Sequence, residues 1–268
     1  MTCQQLITIM GAQPLSDGAT LGAGCWYALL DRDYRIEVEA GVTASLLLCD
    51  SEAVADVEIA VGRGSVLNIV RVVTHRSVLT HDVTLDEGAE CNTTELVLAA
   101  ADTRTTATFI APFARYNHNG VFILDDKEEG SVTVDVMHNV SDCTSRTNFK
   151  GVAVEQAHGS FEGTVYVAPD AQRTDSEQSS RNVVMGDARI DTLPQLEIYA
   201  DDVRCSHGAT VGQMDADAIL YMRQRGLSLA DARRLQIEGF VSDVVMRASI
   251  ESLVEPLQEL LAVKFNKL

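Results

Sequence analysis

The stretch Pro194-Gln-Leu-Glu-Ile-Tyr-Ala-Asp-Asp-Val-Arg-Cys-Ser-His-Gly-Ala-Thr-Val-Gly-Gln213 decides how this chain is read. Leu196-Glu-Ile-Tyr199 reads as a strand, with Pro194 at its entrance, and Asp201-Asp202 reads as a polar corner. Cys205-Ser-His207 then places a thiol and an imidazole two residues apart. Side chains alternate faces along an extended segment, so this spacing points both to one side. A soft thiolate beside an imidazole suits iron–sulfur or zinc chemistry. A nearby imidazolium would also lower the thiol pKa and favour the nucleophilic form. One such pair supplies two ligands where a cluster or zinc ion takes four, so a partner chain or other residues must complete the set.

Upstream, the same period of two recurs. Ile36 and Val38 alternate with Arg35, Glu37 and Glu39, and Val57, Ile59 and Val61 with Asp56 and Glu58. Val83 and Leu85 alternate with Thr84 and Asp86, Val132, Val134 and Val136 with Thr133 and Asp135, and Val165 and Val167 flank Tyr166. Alternation of this kind is the signature of half-buried strands. Turn residues such as Gly41, Gly62-Arg-Gly64, Glu87-Gly88 and Glu129-Gly130 fall between the runs, at spacings near ~20–25 residues, the range of solenoid coils. Helical patterning is nearly absent here. A sandwich, a barrel and a β-solenoid remain open on periodicity alone.

Downstream the period changes. Asp215 is placed to cap a helix over Ala216–Arg225, with Gly226 beyond its end. Ser228-Leu-Ala-Asp231 has capping-box spacing and opens a second helix with an apolar stripe of Ala232, Leu235, Phe240, Val241, Val244, Val245 and Ala248, leaving Arg233, Glu238 and Asp243 outward. Ser252-Leu-Val-Glu255 repeats that spacing before a last apolar face of Leu257, Leu260, Leu261 and Phe265. The expected organisation is a β body over residues 1–213 and a helical region over 214–268.

Composition bounds the function. The 268 residues carry 21 Lys+Arg against 39 Asp+Glu, a net charge of −18. Such a field repels nucleic-acid phosphates and anionic membranes, so neither is an expected partner. No basic leader or long apolar run is seen, and the expected location is cytoplasmic. The six cysteines include no CxxC pair, and most read as small buried hydrophobes, with no disulfide framework expected. His75, His81, His118, His138 and His158 read as surface or rung histidines, and Asp125-Asp-Lys-Glu-Glu129 as a solvated loop. No GxxxxGK[ST] segment occurs, so ATP chemistry would belong to a partner.

The order of Phe161-Glu-Gly-Thr-Val-Tyr-Val167, Arg173-Thr-Asp175, the Pro194–Gln213 stretch, Asp215, Tyr221 and Arg225-Gly226 resembles the SufB/SufD family of iron–sulfur cluster assembly proteins. The Cys-Ser-His-Gly-Ala-Thr wording looks closer to the SufD side. The resemblance implies a mostly β fold, a right-handed parallel β-helix (β-solenoid) with a C-terminal helical tail. It implies a non-catalytic scaffold that pairs with a SufB-like paralogue or with itself, and a SufC-type ABC ATPase docked on residues 214–268. It further implies that a transient iron–sulfur cluster forms at the dimer interface, with none held permanently by the isolated chain. On that carry-over Cys205 and His207 face the partner as metal or cluster ligands, His207 foremost, and Glu197 is a further candidate. The SufB-type paralogue carries a cysteine at the position of Ile198, so the partner would supply the sulfur acceptor. On the same carry-over, the helical region that precedes the β-helix in typical members is expected to be absent or minimal here. Two other readings are a carbohydrate-active β-helix enzyme and a stand-alone homodimeric metal-binding module.

Overall fold

In the computed structural model, which describes residues 2–266, the period-two runs all become strands, each burying every second residue. Seventeen strands among the described residues are dealt alternately to two sheets. A nine-stranded sheet runs from Gln13–Pro14 to Arg204–Gly212, and an eight-stranded sheet from Ala19–Leu21 to Arg189–Ile198. Every pairing is parallel and joins strands two apart in sequence, so the chain winds as a parallel β-helix. The solenoid expectation therefore holds against sandwich and barrel.

Inward residues of both sheets form one core. Leu46, Leu48, Val57, Ile59, Val61 and Leu67 fill its first coils. Burying each such side chain contributes roughly 1.5–3 kcal/mol. The coils widen along the axis. The register step grows from 23 residues (Thr43 to Val66) to 31 (Thr144 to Asp175), and strands lengthen from eight residues in Thr43–Asp50 to ten in Thr144–Ala153. Aromatic rings fill the added width. Gly120 admits one of them, since a Cβ there would lie 2.1 Å from Phe149 Cε1.

The outer face of the nine-stranded sheet is apolar along Leu47, Val70, Val72, Leu96, Val121, Ile123 and Val152, and helices cover it. Four helices occur among the described residues: α1 (Cys3–Met10), α2 (Ala216–Gln224), α3 (Leu229–Met246) and α4 (Val254–Phe265). Asp215 and Ser228 cap α2 and α3 as their spacing predicts. Ser252 does not cap α4. It lies in a 3-10 turn, Glu251–Leu253, and the cap residue is Leu253. The α3 stripe shifts: Ile237 is buried and Leu235 exposed. Asp243 is not free in solvent, because it turns to Lys150 of the sheet, Nζ to Oδ1 2.6 Å. Nor is the Asp125–Glu129 loop merely solvated, since Asp125 and Glu128 each hold Lys264 of α4 at 3.1 Å.

The helix α1 interrupts the all-β reading of the first residues. Thr2 and Gln5 form a reciprocal capping box, and Leu6, Ile7 and Met10 join the helix-covered core. A disulfide joins Cys3 of α1 to the buried Cys49, with Cα atoms 6.2 Å apart, where free thiols were expected. At this end the sheet begins with a two-residue strand that carries Pro14. At the other end, Pro194 sits inside a ten-residue strand rather than at its entrance. An edge strand tolerates that, because its outward side needs no N–H.

Candidate functional site

The last coil leaves the far end of the rod open. Strand Arg204–Gly212 pairs only with Asp175–Val184, and strand Arg189–Ile198 only with His158–Val167. Their other edges present unpaired backbone groups, a template for a further strand. Inward side chains that the next coil would cover stay accessible here. From one sheet they are Cys205, His207 and Val211, and from the other Pro194, Leu196 and Ile198. Leu193 at 53% and Tyr199 at 61% exposure add apolar surface to the outer face beside the same edge, Tyr199 with its ring 5.7 Å from that of Tyr166.

Cys205 and His207 point to one face, as their spacing predicts. Cys205 lies in register with the inward Ser176, and His207 with the inward Gln178. Cys205 is half-buried against the small cluster of Val165, Val167, Ala171 and Ala200, whereas His207 is exposed. Burial pushes the Cys205 thiol up, partly offset by the backbone N–H of Ser176. This reverses the expectation of a thiol acidified by its histidine neighbour. In the chain alone the nucleophilic thiolate is scarce at neutral pH, and a bound metal ion would be needed to remove the proton.

Glu197 is not brought to the pair. It aligns with Tyr166 on the outer face of the eight-stranded sheet, while its neighbours Leu196 and Ile198 face inward. No group of three or more His, Cys, Asp or Glu side chains positioned for a metal occurs among the described residues. The rim therefore offers part of a ligand set.

Behind the rim the interior is polar. Ser176, Gln178, Ser180 and Asn182 are all buried beneath the last strand. Ser176 Oγ lies 2.8 Å from Ser145 Oγ, which lies 2.9 Å from Nε2 of the buried His138. Burial lowers the His138 pKa to about 3, so its ring is neutral. Deeper still, Arg71 Nη2 meets Glu95 Oε2 at 2.5 Å and donates to Thr105 Oγ1 at 2.9 Å. His118 Nε2 lies 3.0 Å from the same carboxylate. That bond needs the Nε2 proton, which leaves Nδ1 to accept from Tyr116 at 3.1 Å. Burial opposes the Glu95 charge, but Arg71 and His118 hold the carboxyl below the usual range. His81, His118 and His138 are rung histidines as expected, and His75 and His158 lie at the surface. The sequence does not single out Arg71, Glu95, Ser145 or Ser176, because the stacking of coils is what brings them to the buried histidines.

The model of the SUF system FeS cluster assembly, SufBD core domain, matches residues 31–240. The chain belongs to the SufB/SufD family. The iron–sulfur cluster assembly protein SufD of Escherichia coli is 42% identical over 117 residues, 43% of this chain and 28% of the relative. An iron–sulfur cluster assembly SufBD family protein of Synechocystis is 42% identical over 111 residues, 41% of this chain and 24% of the relative. One from Mycobacterium leprae is 28% identical over 199 residues, 71% of this chain and 50% of the relative. The likeness is closer to the SufD side, and the chain spans half or less of each of these relatives. Membership in an iron–sulfur assembly family replaces the carbohydrate-active alternative. No helix among the described residues is long and apolar enough to cross a membrane.

Proposed function

We propose that this chain is a non-catalytic, cytoplasmic scaffold subunit of SUF iron–sulfur cluster assembly. A SufB-like paralogue, or a second copy of the chain, pairs with the open end of the β-helix. A nascent cluster is the cargo held between them, with Cys205 and His207 contributing ligands and the partner the rest. The observation that carries this reading is the open rim itself. Two unpaired edges, an apolar border and a thiol–imidazole pair that cannot alone complete a coordination shell lie at one end of the rod. Glu197, on the outer face, would join only through a residue of the partner that wraps around the edge.

The ATPase partner fits the helical region. A cavity of about 600 Å³ lies between α3, the end of α4 and the neighbouring turns, lined by Val154, Met185, Leu229, Arg233, Ile237 and Phe265. Leu220, Tyr221 and Leu229 nearby are exposed, more apolar surface than two solvated helices need. The test is His207→Ala in the assembled complex. The complex is expected to form while cluster maturation, followed by visible absorbance and transfer to an apo-ferredoxin, falls. Undiminished maturation would sink the site assignment, and failure to recover an ABC-type ATPase with the tagged chain from its source cell would sink the partner assignment.

A further inference from the structure

The floor beneath the rim contains a side chain whose hydrogen bonding is incomplete. Gln178 is 1% exposed, and its Nε2 donates to the carbonyl of Gly163 at 3.0 Å. A carbonyl only accepts, so the carboxamide must present its NH2 there and turn its oxygen elsewhere. Gly163 also makes the room. A Cβ at that position would lie 2.4 Å from Gln178 Nε2, so the amide rests in a cradle only glycine permits. The orientation is thus fixed from two sides, yet Gln178 Oε1 is buried and has no donor. Buried acceptors are rarely left so.

Gln178 and His207 are register partners on adjacent strands, both inward, about 4.8 Å apart along the sheet. Register partners on adjacent strands project to the same face as neighbours, so the His207 imidazole is the rim side chain next to this amide. The geometry points to Gln178 as the positioning residue of the rim: its Oε1 accepts one ring N–H of His207, which fixes the tautomer and turns the other nitrogen outward as a ligand. Metal-binding histidines are ordinarily held this way by an acceptor on their second nitrogen. The inference rests on the reading of His207 as a rim ligand.

The test uses the full chain labelled with 15N, and long-range 1H–15N correlation assigned to His207 by loss of its signals in His207→Ala. One tautomer is expected to predominate in the unmodified chain. Gln178→Met removes the acceptor at similar volume, and Gly163→Ala displaces the amide without altering it. Each is expected to return His207 to the tautomer populations of an unstructured histidine peptide. Peptide-like populations in the unmodified chain overturn the inference, whether or not the variants fold. They are also what a hydroxyl of Thr147, one coil below, would produce if it were the donor. A tautomer bias unchanged in folded Gln178→Met overturns it too. In the assembled complex, Gln178→Met is expected to weaken cobalt(II) binding by about 10- to 100-fold, and an unchanged affinity counts against the positioning role. The two readings fail separately. Undiminished cluster assembly by His207→Ala refutes the ligand assignment and leaves the tautomer result standing. Abolished assembly by His207→Ala, together with peptide-like tautomer populations in the unmodified chain, refutes only the role of Gln178.

Discussion

Strand Thr43–Asp50 turns Ala44, Leu46 and Leu48 into the rod, whereas strand Asp175–Val184 turns in Ser176, Gln178, Ser180 and Asn182. Both strands belong to the same sheet and the same parallel ladder. The backbone bonds are therefore indifferent to what fills the interior. The difference lies in what each end is for. The aliphatic coils supply transfer free energy, while the polar coils give up part of it to hold hydroxyls, amides and a neutral histidine beneath the rim. Their order depends on mutual satisfaction of those groups rather than on burial of apolar area.

Four experiments break or sharpen this contrast. The largest effect is expected where the polar interior holds charge. Glu95→Leu leaves the buried Arg71 guanidinium without its counter-charge, and should lower the unfolding free energy in urea by about 3–5 kcal/mol. A change under about 1 kcal/mol would show that water reaches Arg71 and that the interior is not dry. Next, Leu46→Ala in the aliphatic coils should destabilise by about 2–5 kcal/mol. Ser180→Ala, which removes one of the two acceptors of Asn182 Nδ2 and leaves the Thr210 carbonyl, should destabilise by only about 1 kcal/mol. Equal losses would erase the distinction between the two ends.

The third lever is pH. Burial lowers the pKa of His81, His118 and His138, the last to about 3, and none of them lies in the aliphatic coils. Each is neutral when folded and titrates near 6.5 when unfolded. The unfolded chain therefore binds more protons below that value. The contribution is complete above about pH 6.5 and, for His138, is lost by roughly 1.4 kcal/mol per unit as pH falls toward 3. Hydrogen exchange across that window should open the coils around Glu129–His138 before those around Thr43–Val61, and simultaneous opening would contradict the account. The smallest effect is on reactivity. With its pKa raised by burial, Cys205 should react with iodoacetamide at pH 7 more slowly than a thiol in an unstructured peptide, and reaction at the peptide rate would mean that the rim is looser than described.

Much of this architecture was legible in the residues. Alternation at Val57-Glu-Ile59 and Val132-Thr-Val134 gave strands, and Asp215 and Ser228 gave helix starts, because each signal acts within one turn or one pleat. The shared face of Cys205 and His207 followed from a spacing of two. What stayed hidden depends on stacking between coils. Which inward residues meet is set by a register step that changes from 23 to 31 residues, so no fixed period brings Gln178 under His207. Glu197 entered as a candidate from the resemblance, and the pairing of its strand places it on the outer face, away from Cys205 and His207. The α1 helix had a readable start, Thr2-Cys-Gln-Gln5, but eight residues are too few for a helical period to show. The Cys3–Cys49 bond joins residues 46 apart, which spacing alone does not pair.

The two ends of the rod also differ in what they allow to grow. One end begins with a two-residue strand that carries Pro14, whose nitrogen has no proton to offer a newcomer. The other offers two strands of nine and ten residues. A rod adhesive at both ends would string head to tail into a fibre, as open heterologous contacts do. The pairing proposed above would use the longer edges, whereas the two- and three-residue strands at the opposite end offer a further rod few backbone bonds.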